Sequence, residues 1–185
     1  MRTFIAIELP SSIKDQLGDI ARQLRRSDVD AGWMKPDNHH LTLKFLGEVD
    51  AALVRHLAKQ IEQLCAQHNA FAANLDGLGF FPSPKQPRIL YAAIKEPQPF
   101  NTLAQGLERL LEPLGFTPEP HFHPHITLAR IKSNKNLDRI RQLMDGIALQ
   151  YPFTVSAVSL FGSELHAAGA CHHLLQRALL SEADA

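Results

Sequence analysis

The sequence predicts an α+β fold in which two similar lobes form one bilobal domain. Segments rich in β-forming residues alternate with segments whose leucines and isoleucines recur at helical spacing. A strand that begins with His-x-Thr, followed by a helix and another strand, occurs around His40 and again around His125. The offset of 85 positions (125 − 40) is far too long for a solenoid repeat and indicates an internal duplication. Because 185 residues suffice for one ordinary core but not for two independent domains, we expect residues 1–185 to form a single domain.

The first half of the chain shows a clear signal for each element. Its first strand is rich in β-forming residues and ends at Pro10, after which Ser11 or Ser12 can cap a helix. Asp50 is positioned to cap the second helix in the same way. In chain order the predicted elements are a strand over 3–9, a helix with Ile13, Leu17, Ile20 and Leu24 inward, a loop over 27–38, a strand over 39–49, and a helix with Leu53, Leu57, Ile61 and Leu64 inward.

The second half repeats this alternation. A loop with three prolines separates its first two strands, and Gly115 marks the end of the helix that follows them. In chain order the predicted elements are strands over 71–81 and 88–95, a helix with Leu103, Leu107, Leu110 (or Leu111) and Leu114 inward, a loop over 117–124, a strand over 125–131, a helix with Leu137, Ile140, Leu143 (or Met144) and Ile147 inward, and strands over 153–161 and about 171–179.

The composition excludes several classes of protein. Nineteen basic residues balance nineteen acidic residues, so any nucleic-acid substrate must be held locally rather than by bulk attraction to many phosphates. Cys65 and Cys171 are too few and too far apart for a disulfide framework, and we expect both to be small buried apolar residues. The N-terminal apolar run is too short for a secretory signal, and no segment approaches the roughly 20 apolar residues of a membrane span. We therefore expect a soluble cytoplasmic protein.

The two His-x-Thr motifs predict polar strand faces. Side chains alternate along a strand, so His40, Thr42 and Lys44 should share one face. His125 and Thr127 should share the corresponding face of the second copy. If an approximate two-fold axis relates the lobes, these faces meet across a cleft. The cleft then holds two imidazoles and two hydroxyls around one small volume.

This set of side chains suits the cleavage of a phosphate ester. Threonine hydroxyls can donate to non-bridging oxygens, one neutral imidazole can take a proton from water, and the other, protonated, can give one to a leaving oxygen. Positioned proton transfer of this kind contributes roughly 10²–10⁴-fold in rate. The chemistry needs no metal and no cofactor.

Four stretches carry a resemblance to a known family. They are FIAIELP at residues 4–10, HHLTLKFLGEV at 39–49, PRILYAAI at 87–94 and FHPHITLAR at 122–130. Through them the chain resembles the 2H phosphoesterase superfamily, which is defined by two His-x-Ser/Thr motifs in a duplicated fold. Within it the sequence is similar to the bacterial and archaeal RNA 2′,3′-cyclic phosphodiesterases, also called 2′-5′ RNA ligases. The C-terminal stretch ACHHLLQRALL fits this pattern only loosely, because the family often has an aromatic residue near His172 or His173.

The resemblance implies a fold and a set of roles. The fold is a bilobal α+β fold with two pseudo-two-fold-related antiparallel sheets and outer helices around a central cleft. His40 is the implied proton donor to the leaving ribose oxygen, and His125 is the implied proton acceptor that activates water. Thr42 and Thr127 would hold the phosphate oxygens. The implied reaction opens a 2′,3′-cyclic phosphate at an RNA end to a 2′-phosphomonoester, with 2′-5′ ligation as its reverse. The two motifs are nearly symmetric, so the choice of donor and acceptor rests on the resemblance alone.

Other residues are weaker candidates for the site. Arg130 follows the second motif, and arginine suits phosphate, although strict alternation places it on the apolar face. Lys44 could support phosphate charge from the polar face, and Arg88 lies beside the proline-rich loop. His39 is one residue out of phase with His40 and should point away from the cleft or lie in the turn before the strand. The aromatic residues that could stack on a base, or simply fill the core, are Trp33, Phe80, Phe81 and Phe122.

Several alternatives remain open at this stage. The substrate could be a 2′-5′ oligonucleotide or a small cyclic nucleotide, and the protein could bind RNA ends without turnover. A zinc site is a third alternative, since His121, His123 and His125 have i, i+2 spacing, although Pro124 favours a loop before His125. His166, His172 and His173 are expected at the surface or the cleft rim. Neutral charge and one closed, duplicated core favour a monomer.

Overall fold

The computed structural model describes residues 1–119, 121–166 and 169–182. The fold consists of strands and helices in mixed order, as the sequence predicts. Their bounds are β1 Arg2–Glu8, α1 Ser11–Arg25, β2 Ala31–Trp33, β3 His40–Glu48, α2 Ala51–Cys65, β4 Phe71–Phe81, β5 Ile89–Ile94, α3 Gln98–Leu111, β6 His125–Ile131, α4 Leu137–Asp145, β7 Gln150–Val155, β8 Ala157–His166 and β9 Gly169–Leu179.

The strands form antiparallel pairs in the order β7-β4-β5-β6-β3-β1-β8-β9, with β2 paired to β6. Strands β3, β1, β8 and β9 make a first half-sheet, and β6, β5, β4 and β7 make a second. The halves meet where Leu41 of β3 pairs with Ile126 of β6, and both side chains are fully buried. The predicted α+β class and antiparallel pairing are confirmed, and the two predicted sheets are the two halves of one continuous sheet.

The helices pack their predicted apolar faces into the core. All four predicted apolar residues of α1 are buried, and the Asp50 carboxylate caps α2 by accepting a hydrogen bond of 2.8 Å from the backbone N–H of Leu53. In α3 the inward residue is Leu111 rather than Leu110, and Leu114 lies beyond the helix in a short 3₁₀ turn. Each fully buried leucine or isoleucine contributes about 1.5–3 kcal/mol of transfer free energy, so these faces fix the helices on the sheet. No helix in the described ranges combines the length and the apolar character that crossing a membrane requires.

The same one-residue β-bulge interrupts β3 and β6. In β3, Thr42 pairs with Ala6 but Lys44 pairs with Ile5, which leaves Leu43 as the extra residue. In β6, Thr127 pairs with Tyr91 but Ala129 pairs with Leu90, which leaves Leu128 as the extra residue. An extra residue reverses the alternation of faces beyond it. The bulges therefore lie 85 positions apart (128 − 43), like the histidines, and are part of the duplication.

The first bulge overturns the prediction for Lys44. Instead of sharing a face with His40 and Thr42, Lys44 is 5% exposed on the opposite side of the sheet. Its Nζ donates to Glu108 Oε1 of α3 and to the backbone oxygen of Thr117, both at 2.7 Å. The prediction failed because strict alternation assumes a regular strand.

Other differences concern the course of the chain. The single strand predicted over 153–161 is two strands, β7 and β8, separated at Ser156. β7 pairs with β4 and β8 pairs with β1, so the chain passes from the second half-sheet to the first at this residue. The predicted loop over 27–38 contains the short strand β2, and Cys171, expected to be buried, is exposed on β9.

Candidate active site

A cavity of about 530 Å³, the central cavity, opens where β3 and β6 begin. Five residues predicted to act in catalysis or phosphate binding line it, namely His40, Thr42, His125, Thr127 and Arg130. The first four come from equivalent positions at the starts of the two strands, where the paired half-sheets bring both motifs to one space. The prediction that the two polar faces meet across a cleft is therefore confirmed.

Backbone hydrogen bonds fix the orientation of both imidazoles. His40 Nδ1 lies 2.8 Å from the carbonyl oxygen of Asn38, and His125 Nδ1 lies 2.7 Å from the carbonyl oxygen of His123. A carbonyl oxygen only accepts, so Nδ1 carries the hydrogen in each ring. Nε2 is then the free nitrogen of both histidines, able to accept a proton when the ring is neutral and to donate one when it is charged.

The ring of His40 is held by aromatic side chains. It stacks on Phe4 at a centroid distance of 4.9 Å, and Phe4 stacks in turn on Phe161 at 5.2 Å. His172 of β9 contacts His40 edge-on at 5.4 Å. Burial, followed by the like charge of His172, lowers the pKa of His40 to about 4. The free protein thus holds this imidazole neutral at pH 7.

The ring of His125 has a different aromatic support. Phe81 and Tyr91 stack on one another at 4.1 Å, and His125 meets both of them edge-on at 4.9 and 5.6 Å. Burial is the main cause that lowers the pKa of His125 below its ordinary value. Both imidazoles are therefore ready to accept a proton, and an anion in the cavity raises the pKa of the ring that it contacts, which lets that ring act as a donor.

The paired bulges complete the rim of the central cavity. Beyond each bulge the next side chain turns toward the cavity, which places the exposed Phe45 on one side and the exposed Arg130 on the other. Arg130 thus reaches the cavity because of the bulge, whereas strict alternation assigned it to the apolar face. Its guanidinium can hold an anion with two parallel hydrogen bonds.

The weaker candidates divide between the cavity and other places. Trp33 lines the central cavity, with the Arg25 guanidinium 5.4 Å from its ring centre. Phe81 supports His125, while Phe80 is buried and Phe122 packs against the core. Arg88 lines a separate surface hollow and does not line the central cavity.

Two residues of the site, Phe4 and His172, were not predicted to contact His40. The sequence placed Phe4 only within the first predicted strand, and its contact with His40 depends on the pairing of β1 with β3. His172 was expected at the surface or rim, and it lines the central cavity. The one available signal was its place in the segment where the resembling family often has an aromatic residue.

The remaining histidines do not assemble into a metal site. His39 is 1% exposed and does not line the central cavity, as its phase predicts. His123 lies edge-on against Phe81 at 5.2 Å. Within the ranges that the structure describes, no three His, Cys, Asp or Glu side chains are grouped so that they could hold a metal ion.

Comparison with known proteins gives a consistent result at the level of the family. A sequence model described as LigT like Phosphoesterase matches residues 7–91 and 94–172. A Methanothermobacter thermautotrophicus protein named RNA 2′,3′-cyclic phosphodiesterase is 30% identical over 171 residues, which cover 91% of this chain and 93% of its own length. A Thermus thermophilus protein of the same name is 33% identical over an alignment of 189 residues, covering 96% of this chain and 89% of its own.

Solved structures show the same fold. A crystal structure of a Thermus thermophilus protein superposes with a TM-score of 0.81 at 27% identity, covering 98% of this chain and 99% of that one. The crystal structure of Escherichia coli LigT complexed with 3′-AMP superposes with a TM-score of 0.78 at 25% identity, covering 98% of each chain.

Proposed function

This chain belongs to the LigT-like phosphoesterase family, and from that membership we propose that it is an RNA 2′,3′-cyclic phosphodiesterase. It would open a terminal 2′,3′-cyclic phosphate to a 2′-phosphomonoester. The substrate class comes from the names of the curated relatives, several of which are called RNA 2′,3′-cyclic phosphodiesterase. The chain's own residues supply the rest of the argument.

One observation carries the proposal. His40 and His125 line the same cavity, and a backbone carbonyl holds the Nδ1 hydrogen of each, so two Nε2 atoms are available for proton transfer. Thr42, Thr127 and Arg130 supply hydrogen-bond donors in that space. Two hydroxyls, a guanidinium and two titrating nitrogens around one space suit an anionic phosphodiester.

The proposed reaction needs one proton acceptor and one proton donor. His125 Nε2 takes a proton from water as the water oxygen bonds to phosphorus. The bond from phosphorus to the ribose 3′ oxygen breaks, and the protonated Nε2 of His40 gives its proton to that oxygen. The product carries the phosphate on the 2′ oxygen, and the two histidines have exchanged protonation states. Thr42, Thr127 and Arg130 stabilise the charge on the non-bridging oxygens.

Ligation would use the same ring-opening chemistry with a different nucleophile. If the hydroxyl of a second RNA end replaces water, the same two histidines would form a 2′-5′ linkage. Hydrolysis of 2′-5′ oligonucleotides or of small cyclic nucleotides needs the same groups and is the second candidate activity. An RNA-end-binding module without turnover is the alternative in which the histidines serve recognition only.

A product assay separates these possibilities. The protein is incubated with an RNA that ends in a 2′,3′-cyclic phosphate, in the presence of EDTA, and ³¹P NMR identifies the position of the product phosphate. The proposal expects a 2′-phosphomonoester and no loss of rate with the chelator. A 3′-phosphomonoester would reverse the assigned leaving oxygen, and tight binding without product would favour the binding module.

The proposal extends to the state of the protein. We infer that residues 1–185 act as one bilobal unit, because the histidines of the central cavity come from both half-sheets. The expected form is a cytoplasmic monomer, and the expected partners are RNA ends or small nucleotides that carry a cyclic phosphate. Sedimentation at micromolar concentration tests the monomer directly.

A further inference from the structure

Gly79 lies inside β4 at a point where the backbone does not require a glycine. Gly77, two residues earlier, has a φ of +84° in the left-handed region, whereas Gly79 lies outside that region. A glycine inside a strand weakens it and often marks a place where another group approaches the backbone closely. The reason for Gly79 therefore lies in the space beside it.

The ring of Tyr91 fills the space that a side chain at position 79 would need. The two residues are direct partners in the pairing of β4 with β5. A Cβ atom at position 79 would lie 2.5 Å from both Cζ and Oη of Tyr91. Carbon atoms in contact are roughly 3.5–4.0 Å apart, so no side chain fits there while the ring keeps its place.

Over Gly79 the Tyr91 ring reaches a second aromatic side chain. It stacks on Phe81 with a centroid distance of 4.1 Å and an angle of 16° between the ring planes. Phe81 pairs with Ile89 and lies two residues beyond Gly79, so both share one face of β4. The tyrosine ring thus crosses from its own strand over the glycine to form the aromatic pair.

This aromatic pair holds both His125 and the residue that anchors it. His125 meets Phe81 and Tyr91 edge-on at 4.9 and 5.6 Å. His123 meets the same two rings edge-on at 5.2 and 5.8 Å. The His123 carbonyl oxygen accepts the hydrogen bond of 2.7 Å from His125 Nδ1. A displacement of Tyr91 would therefore disturb the imidazole and its anchor together.

We propose that Gly79 is a positioning residue for the proton acceptor, acting through the Tyr91 and Phe81 rings to direct His125 Nε2 into the central cavity. This inference rests on the proposed function. In that reaction Nε2 takes a proton from water while the water oxygen bonds to phosphorus, so its direction decides the rate. Any side chain at position 79 would displace the Tyr91 ring and release the imidazole. His40 is an internal control, because its supports Phe4 and Phe161 lie on β1 and β8.

A double-mutant cycle tests the route through the ring, with kinetics on an RNA that ends in a 2′,3′-cyclic phosphate. Gly79→Ala should lower kcat by about 10², the effect of a misplacement of about 1 Å. KM should stay within about threefold, because the groups that hold the phosphate are unchanged. Tyr91→Leu removes the ring without adding bulk to β4 and should lower kcat similarly. In the double variant the alanine meets no tyrosine ring, so kcat should equal that of Tyr91→Leu.

Gly106→Ala is the matched control for crowding alone. Its Cβ would lie 2.9 Å from Leu64 Cδ1, where α3 packs against α2. Gly106 does not line the central cavity. This variant should unfold at a lower urea concentration and keep kcat near the wild-type value, because overpacking lowers stability without touching His125.

Imidazole NMR adds a measurement that a purely structural role would not change. Burial is the main cause that lowers the pKa of His125, with His123 acting in the same direction and Glu119 against it. Loss of the Tyr91 contact exposes the imidazole to water, so in Gly79→Ala and Tyr91→Leu the pKa of His125 should rise toward its ordinary value of 6.5. The pKa of His40 should stay as in the wild type in both variants.

The outcomes distinguish this inference from the proposed function. If the wild type opens the cyclic phosphate and Gly79→Ala keeps its kcat and the wild-type pKa of His125, the inference is wrong while the proposed function stands. An equal loss of kcat when the alanine is added to Tyr91→Leu would also overturn it, because Gly79 would then act by another route. If Gly79→Ala does not fold, unchanged kcat in Tyr91→Leu overturns it. A wild type that leaves the cyclic phosphate intact would refute the proposed function and the positioning role together.

Discussion

The buried ion pair of Lys44 gives a prediction that separates stability from activity. The sequence pattern assigned Lys44 to the phosphate-binding face, whereas in the structure its Nζ bonds Glu108 and the Thr117 carbonyl on the far side of the sheet. Lys44→Met should therefore leave kcat/KM within about threefold of the wild type, since an undisturbed cavity keeps its transition-state contacts. The same substitution should lower the free energy of unfolding substantially.

The size of that loss follows from burial. Removing one partner of a buried pair costs about 3–5 kcal/mol, because the other charge is left uncompensated. Lys44 is 5% exposed and Glu108 is 22% exposed, so we expect the lower end, about 3 kcal/mol. Glu108 Oε1 also accepts from the backbone N–H of Glu119 at 3.2 Å, so the loop that follows Gly115 should loosen as well.

Urea unfolding followed by circular dichroism measures this effect. A loss of about 3 kcal/mol should move the midpoint by roughly 1 M or more. The double variant Lys44→Met/Glu108→Leu should recover part of the loss, because it removes both charges together. Arg109→Met, an exposed cation on the same helix without an ion pair in the described residues, should change little. Normal stability combined with a tenfold or greater loss of kcat/KM would refute the reasoning, because it would show that Lys44 contacts the substrate phosphate.

Three further predictions concern the cavity and its surroundings. In steady-state assays Arg130→Ala should lower kcat/KM by about 10- to 100-fold, which is the value of one charged hydrogen bond. The control Arg88→Ala should keep a kcat/KM near that of the wild type. Equal effects of the two substitutions would show that the Arg130 guanidinium does not bind the phosphate. His172→Phe removes a like charge and should raise the pKa of His40, which an imidazole NMR titration measures; an unchanged pKa would exclude this electrostatic coupling. Burial and Lys14 lower the pKa of His39 to about 4, below the unfolded value of about 6.5, so the unfolded chain binds more protons and stability should fall as pH drops from about 6.5 toward 4. Between pH 6.5 and 4, the free energy of unfolding measured in urea should fall less steeply with decreasing pH for His39→Asn than for the wild type. An equally steep fall would contradict the assignment.

The paired histidines could be predicted because their signal is local. A histidine and a threonine two positions apart share a strand face, and the second copy of the motif identified which histidine of the adjacent pair matters. Leu41 and Ile126 each lie between the histidine and the threonine of a motif. They pair with one another, join the half-sheets and so bring His40 and His125 together. The strand and helix pattern thus carried both the fold class and the core of the site.

The bulges could not be predicted, because nothing in the spacing of Leu43 or Leu128 shows that a residue is left out of the pairing. That omission explains both errors of phase. Because of the extra residue in each strand, Lys44 is buried and Arg130 faces the cavity. Strict alternation predicts the opposite face for both side chains.

Long-range pairing explains what else was missed. His172 reaches His40 because β9 lies beside β8 and β8 beside β1, an order that local periodicity does not contain. The division at Ser156 is of the same kind, since residues on either side pair with strands far away in the sequence.

The most direct test of the account is the activity of the two histidine variants. Turnover of an RNA with a 2′,3′-cyclic end is measured for His40→Ala and His125→Ala, with circular dichroism to verify that each variant is folded. Because each ring transfers a proton in the same step, each substitution should lower kcat by at least about 10², and the wild-type rate should follow a bell-shaped pH profile. Full activity in either folded variant would contradict the proposal that these two histidines form a split acid–base pair.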